Sequence, residues 1–230
     1  MTTYLNTENI ARSTGEVEYH PLKPFLPEGA RVLFLGSFPP QRKRWCMDFY
    51  YPNFINDHWR IEGQVFFGDK NHFVDASAKC FKLDEIVQFC EAKGIAFFDT
   101  STAVRRLKDN ASDKFLEVVE PTDINVLLAR LPCCKAIVTT GEKATETICA
   151  SLGISEVPKV GASVTIPASP VPSKGGVNGE AGEKFPSLLE GAEDVKRLSL
   201  WRLPSSSRAY PLSFEKKVEA YRKMFVSVLG

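Results

Sequence analysis

Four short apolar runs stand out along the chain: VLFLG at 32–36, IAFFD at 95–99, KAIVTTG at 135–141 and LSLWRL at 198–203. Their length and their β-branched and aromatic content predict buried strands. Between them lie segments with helical spacing. LDEIVQFCEAKG at 83–94 and EKATETICASLG at 142–153 each end on a glycine stop, and PTDINVLLARL at 121–131 has Pro121 and Thr122 at its start. The chain closes with SFEKKVEAYRKMFVSVL, in which Ser213 is a plausible N-cap and Phe214, Val218, Tyr221 and Phe225 repeat on one face. Strands alternating with helices predict right-handed βαβ crossovers and a three-layer α/β/α fold around a central four-stranded parallel sheet. In such a fold functional groups sit on the loops after the strands' carboxyl ends.

The segment from Pro158 to about Asp194 is rich in Pro, Gly and Ser and has little periodicity, so it reads as a long flexible loop without chemistry of its own. A length of 230 residues with 43% hydrophobic and 25% charged positions suits one globular domain spanning 1–230. The formal net charge of +1 leaves any affinity for nucleic acid to local clusters of Lys and Arg. Six cysteines, with no CxxC pair and no nearby His at zinc spacing, read as buried free thiols. The opening residues lack a signal peptide, and no apolar run is long enough to span a bilayer, so a cytoplasmic protein is expected.

The most informative stretch follows the first strand: GSFPPQRKRWCMDFYYPNFINDHWRI at 36–61. Gly36 reads as a tight turn at the strand end, and Pro39 and Pro40 stiffen the loop so that main-chain N–H groups can face a bound polar ring. Tyr50, Tyr51, Phe54 and Trp59 offer flat apolar faces, while Asn53 and Asn56 offer amides able to bind a base edge or hold a water. Flat faces with amides suit a nucleobase.

Here a resemblance becomes specific. A strand ending in GS-x-P, followed by YY-x-x-x-x-N-x-x-W, resembles the first motif of the hypoxanthine-type branch of the uracil-DNA glycosylase superfamily, with Gly36, Ser37, Pro39, Tyr50, Tyr51, Asn56 and Trp59 as the matching residues. LPSSSRAYP at 203–211 resembles the second motif, a Pro-Ser loop that enters the minor groove. GIAFFDT at 94–100 resembles the strand that reads the base, and KAIVTTGEKATE at 135–146 the late strand and helix. The four elements occur in the superfamily's order.

The resemblance implies a monomeric DNA glycosylase, without metal or organic cofactor, hydrolysing the N-glycosidic bond of an everted uracil or hypoxanthine. Three departures shape the expected site. The water-activating Asp of the Gln-Asp-Pro-Tyr form of the first motif is absent, which points to Asn56 as the catalytic residue. The His of the second motif is replaced by Leu203, and the strand-end Asn that reads uracil in many relatives aligns with Asp99. The expected base contacts are therefore Ser37 and Phe38 through the main chain, Asp99 at the base edge, and Tyr51 or Phe54 as the stacking ring. DNA contacts are expected from Arg42, Lys43 and Arg44 and from Pro204, Ser205, Ser206, Ser207 and Arg208, the last probing the gap left by the base.

Plainer readings stand beside these. Asn56 can be a turn or cap amide, and Asp99 an N-cap to a following helix or a salt-bridge partner of Arg105 or Arg106. The 204–208 segment can be an ordinary strand-to-helix turn and the basic triplet a solvated surface. His20, His58 and His72 show no metal or triad spacing. At the level of function the alternatives are a member of the same fold that binds nucleic acid or protein without cutting, and an enzyme acting on a free nucleoside.

Overall fold

A computed structural model describes residues 15–107, 113–167 and 197–230. In chain order its regular elements are β1 (Val17–Tyr19), β2 (Val32–Gly36), α1 (His58–Phe67), β3 (Val74–Asp75), β4 (Cys80–Phe81), α2 (Leu83–Lys93), β5 (Ile95–Asp99), β6 (Ser101–Arg106), β7 (Leu116–Pro121), α3 (Ile124–Ala129), β8 (Ala136–Thr140), α4 (Glu142–Leu152), β9 (Ala162–Pro167), β10 (Arg197–Leu203) and α5 (Phe214–Leu229).

The central sheet has the order β5-β2-β8-β10-β9. Its first four strands run parallel and are the four apolar runs of the sequence. Every residue of β5 and β8 is buried, which is why these strands read as continuous apolar runs rather than as alternations. Helices flank the sheet: α2 contacts β5, α4 contacts β8, and α5 contacts both β10 and α1. The fold is a mixed α/β architecture around a mostly parallel sheet. Among the described residues no helix is long and apolar enough to cross a membrane.

Several local expectations change. The sheet gains a fifth strand: β9 lies inside the stretch expected to be a loop and pairs antiparallel with β10, from Ala162 beside Arg202 to Pro167 beside Arg197. Its closing Pro is tolerated because β9 is an edge strand. The rest of that stretch, 168–194, lies outside the described residues. Helix α3 starts at Ile124 and not at Pro121; Asp123 caps it by accepting the Asn125 and Val126 amides, while Pro121 ends β7. Both glycine stops hold, Gly94 and Gly153 being left-handed after α2 and α4, and Ser213 caps α5 by accepting the Lys216 amide. Not all the thiols are buried: Cys133 is exposed, and Cys46 and Cys80 are half-buried.

Two features escaped the sequence reading. Strands β1, β6 and β7 form a small antiparallel sheet beside the main one. Helix α1, inside the first-motif stretch, buries His58, Trp59, Arg60, Ile61, Glu62 and Gly63 in succession. A helix buried on all sides carries no amphipathic stripe. The His58 and Glu62 side chains are fully buried, 3.6 Å apart, with no hydrogen-bond partner. Burial pushes the Glu62 carboxyl well above its ordinary value near 4.5 and the His58 imidazole well below its own near 6.5, in each case favouring the uncharged form.

A carboxyl that binds its proton more tightly when folded contributes stability in full below about pH 4.5. That contribution is lost as the pH rises toward the folded value. His58 acts on the other side, costing stability as the pH falls below about 6.5. Glu62→Gln is therefore expected to raise the melting temperature at pH 8 by about 2–4 °C, the equivalent of about 1 kcal/mol in a chain of this size. It is also expected to flatten the decline of stability between pH 5 and pH 8, read by thermal denaturation at each pH.

Candidate functional site

Strand register builds the site before any side chain is considered. Gly36 pairs with Asp99, Leu35 with Thr139, and Thr140 with Leu203, so the carboxyl ends of the four parallel strands stand in one row. The first and third parallel strands, β2 and β8, are neighbours, with the second and fourth outside them. At such a reversal of strand order the outgoing loops diverge and leave a crevice. A cleft of about 630 Å³ opens there, within the size range of small-ligand sites.

Its walls come from two segments about 150 residues apart in sequence. Ser37, Phe38, Tyr51, Asn53 and Asn56 line it from the loop after β2, and Ser205, Ser206, Ser207, Arg208 and Tyr210 from the loop after β10. The two loops are bonded to each other. The Asp57 amide donates to the Ser206 carbonyl at 3.0 Å, and Arg208 donates to the Asp57 carboxylate at 2.8 Å. Beneath the second loop the buried Lys217 ammonium donates to the Ser207 carbonyl at 2.7 Å, and burial lowers its pKa.

On the floor Asp99 meets His20, Oδ2 to Nε2 at 2.9 Å, with both side chains almost fully enclosed. Neither plain alternative for Asp99 holds: the chain after it is strand β6 rather than a helix, and its side-chain hydrogen-bond partner is His20 rather than Arg105 or Arg106. Those arginines instead pair with Glu117 and Glu18. Gly36 also changes meaning. It is not among the left-handed glycines, and a Cβ there would overlap Asp99 Oδ1. Glycine is required for space above the strand end, not for a turn.

Asn56 lines the cleft, and its Oδ1 accepts the His58 amide at 2.9 Å, fixing which end of the amide is oxygen. One lone pair of that oxygen closes a turn at the start of α1, and the second is left for a ligand or a water. Asn53 does the same one step earlier, its Oδ1 accepting the Ile55 amide at 3.2 Å. Ile55, 58% exposed between these turns, forms an apolar point on the cleft's lip.

Tyr51 is one of two described non-glycine residues with positive φ, at 51°. Such a conformation costs about 1 kcal/mol or more and persists only where surroundings enforce it. Here the ring stacks on His58 at 3.7 Å and the hydroxyl meets Thr140 Oγ1 at 2.7 Å. Phe54 is not available as a stacking ring. It faces Phe81, lies under the Arg60 guanidinium at 4.7 Å, and does not line the cleft. The Phe38 side chain is buried and packs against Val104 and Leu116.

The expected DNA-facing residues divide. Arg44 lines the cleft; Arg42 and Lys43 are exposed outside it, with Arg42 paired to Asp48 and stacked over Trp45. Ser205 and Ser207 line it, each hydroxyl accepting the amide two residues on. Pro204 is buried and outside the lining, and Ser206 is 2% exposed, so its hydroxyl is turned from solvent. Residues the sequence reading passed over include His20, Thr140 and Lys217. Lys217 carried a signal, a cation four residues before Tyr221 on the apolar face of α5. His20 carried none, since only the β1–β6 pairing brings it beside a residue 79 positions away.

No protein-family model and no curated protein matches the chain. Among solved structures it is similar to the solution NMR structure of a protein from Methanosarcina acetivorans, provisionally described as a uracil DNA glycosylase. The two share 20% sequence identity, with 92% of this chain and 99% of that chain covered and a TM-score of 0.53. The chain therefore has a uracil-DNA-glycosylase-like fold.

Proposed function

We propose that this protein is a DNA glycosylase of the hypoxanthine-type branch, hydrolysing the N-glycosidic bond of a flipped-out uracil or hypoxanthine. The observation that carries this reading is the convergence of the 36–56 and 205–211 segments on one cleft, cross-bonded through Asp57, Ser206 and Arg208, at the carboxyl rim of the sheet.

Eversion of a base costs roughly a few kcal/mol of unstacking, least for a mismatched one, so deaminated bases enter most easily. Bond cleavage then passes through an oxocarbenium-like sugar and leaves negative charge on the base. The Ser37 and Phe38 backbone amides, which donate to no backbone carbonyl among the described residues, are the donors for that charge. The free lone pair of Asn56 Oδ1 positions the attacking water, a weak task sufficient for so electrophilic a carbon. The water oxygen bonds to C1′, the C1′–N pair leaves with the base, and the water's proton passes to solvent. Tyr51, backed by His58, is the wall against which the base lies.

The test is incubation with oligonucleotides carrying uracil, hypoxanthine, xanthine or an undamaged mismatch, followed by alkaline cleavage at abasic sites. Strand breaks at hypoxanthine or uracil are expected. DNA binding with no break at any lesion would instead mark a binding protein of the same fold. Arg44, the member of the basic triplet at the cleft, contacts a phosphate in this reading. Arg44→Glu should weaken duplex binding and reduce the slope of log affinity against log salt by about one, whereas an unchanged slope would remove that contact.

A further inference from the structure

We infer that His20 locks Asp99 so that this carboxyl presents one oxygen, Oδ1, as the acceptor for the base edge, which restricts the substrate class to bases bearing a ring N–H. The inference rests on the reading of the cleft as a base pocket and specifies which bases it takes.

The His20 ring cannot turn away. It lies edge-on to Phe38 at 5.3 Å and tilted against Phe98 at 4.6 Å, and its Nδ1 sits 3.2 Å from the Leu22 amide nitrogen and 2.9 Å from the Leu22 carbonyl. Leu22 thus offers Nδ1 both a donor and an acceptor, and either tautomer is accommodated. If Nδ1 accepts, Nε2–H donates to a carboxylate Oδ2. If Nδ1–H donates, Nε2 still engages Oδ2 across the same 2.9 Å. Both arrangements engage Oδ2 and leave Oδ1 as an acceptor. Oδ1 is the oxygen held over Gly36, a residue of the cleft wall. The other ionisable groups around Asp99 are the Tyr50 and Tyr51 phenols and the Asp113 carboxyl. Burial raises both phenols and the Asp113 carboxyl, favouring their uncharged forms; Tyr50 donates to the Lys23 carbonyl, and Asp113 is hydrogen-bonded to the Ser37 side chain.

An acceptor here distinguishes a damaged base by the atom that deamination changes. Cytosine N3 and adenine N1 are lone-pair acceptors that would face Oδ1 unfavourably. In uracil and hypoxanthine the same positions carry N–H and donate to it. Thymine and guanine also carry that N–H, so their exclusion falls to other parts of the site and to the cost of eversion. His20 touches no substrate in this scheme; it is a positioning residue.

The test compares hypoxanthine with 1-methylhypoxanthine, which lacks the N1–H. Binding of the free bases is followed by NMR shifts, and release is followed from oligonucleotides carrying each base. The parent protein should favour hypoxanthine by about 10–100-fold, the span of one hydrogen bond to a charged group. His20→Ala should reduce that ratio by about tenfold or more with the melting temperature nearly unchanged, and His20→Gln, whose amide reaches Oδ2 as a donor, should restore it. In Asp99→Asn the amide oxygen takes the His20 proton and NH2 faces the cleft, so the N–H preference should disappear.

A ratio unchanged in His20→Ala overturns the inference, whether read by binding or by release. Release with that unchanged ratio leaves the glycosylase reading standing. Binding of free hypoxanthine with His20-dependent discrimination, but no release from any oligonucleotide, keeps the inference and overturns the glycosylase. Failure of the parent protein to bind either free base and to release either from DNA overturns both.

Discussion

Asn56→Ala is expected to reduce base release to about a hundredth of the parent rate or less, the usual scale for losing one catalytic positioning group. The same change removes the acceptor for the His58 amide at the start of α1 and should lower stability by about 1 kcal/mol. A lost turn alone would give a similar melting shift without a catalytic defect, so a second variant is needed. Asn56→Asp keeps an oxygen for the His58 amide and a lone pair for water. It should melt like the parent and retain activity within about tenfold, rising with pH as the new carboxyl ionises. If Asn56→Ala and the parent release base at equal rates, the water is held elsewhere.

Gly36→Ala should be equally damaging for a different reason. Its Cβ would overlap Asp99 Oδ1, and Gly36 and Asp99 are register partners that close the β2–β5 ladder, so relief requires Asp99 or the strand end to move. Either Asp99 rotates out of its bond with His20 or β2 shifts against β5. Overpacking of this kind costs about 1–3 kcal/mol, and base release should fall at least about a hundredfold because the acceptor is displaced. Pairing it with Asp99→Gly removes the obstruction: the double variant should recover most of the lost stability but none of the activity, a coupling readable in a double-mutant cycle. Stability equally low in the double variant would place the strain somewhere other than the Gly36–Asp99 contact.

The contrast between what could and could not be read from the residues follows burial. Strands β2, β5 and β8 were legible because a parallel strand covered on both faces is apolar almost throughout, and β10 because its buried Leu198, Leu200, Trp201 and Leu203 dominate a short run. Helix α1 was not, because burial on every side places His58, Arg60 and Glu62 where a stripe would be sought. Strand β9 has the alternating exposure of a half-covered edge strand, hidden in a Pro- and Gly-rich neighbourhood.

At the site, the two cleft-forming loops were legible from their residue types, since clustered prolines, serines, aromatics and amides after a strand end announce themselves. The partners that orient them were not. Phe54 looked like a stacking ring as much as Tyr51 did, and only the Arg60 and Phe81 contacts show that it points elsewhere. His20 reaches Asp99 through the β1–β6 pairing, a topological fact with no local signature.

The central claim is that the crevice between the 36–56 and 205–211 loops receives a nucleobase drawn out of a duplex. It is tested most directly by placing a fluorescent purine beside a hypoxanthine in a short duplex and recording its emission on mixing with the protein at a temperature where cleavage is slow. An emission rise is expected as the neighbour leaves the stack, followed by abasic-site formation at the hypoxanthine, with neither event on the undamaged duplex. Saturable binding without any rise in emission would contradict it.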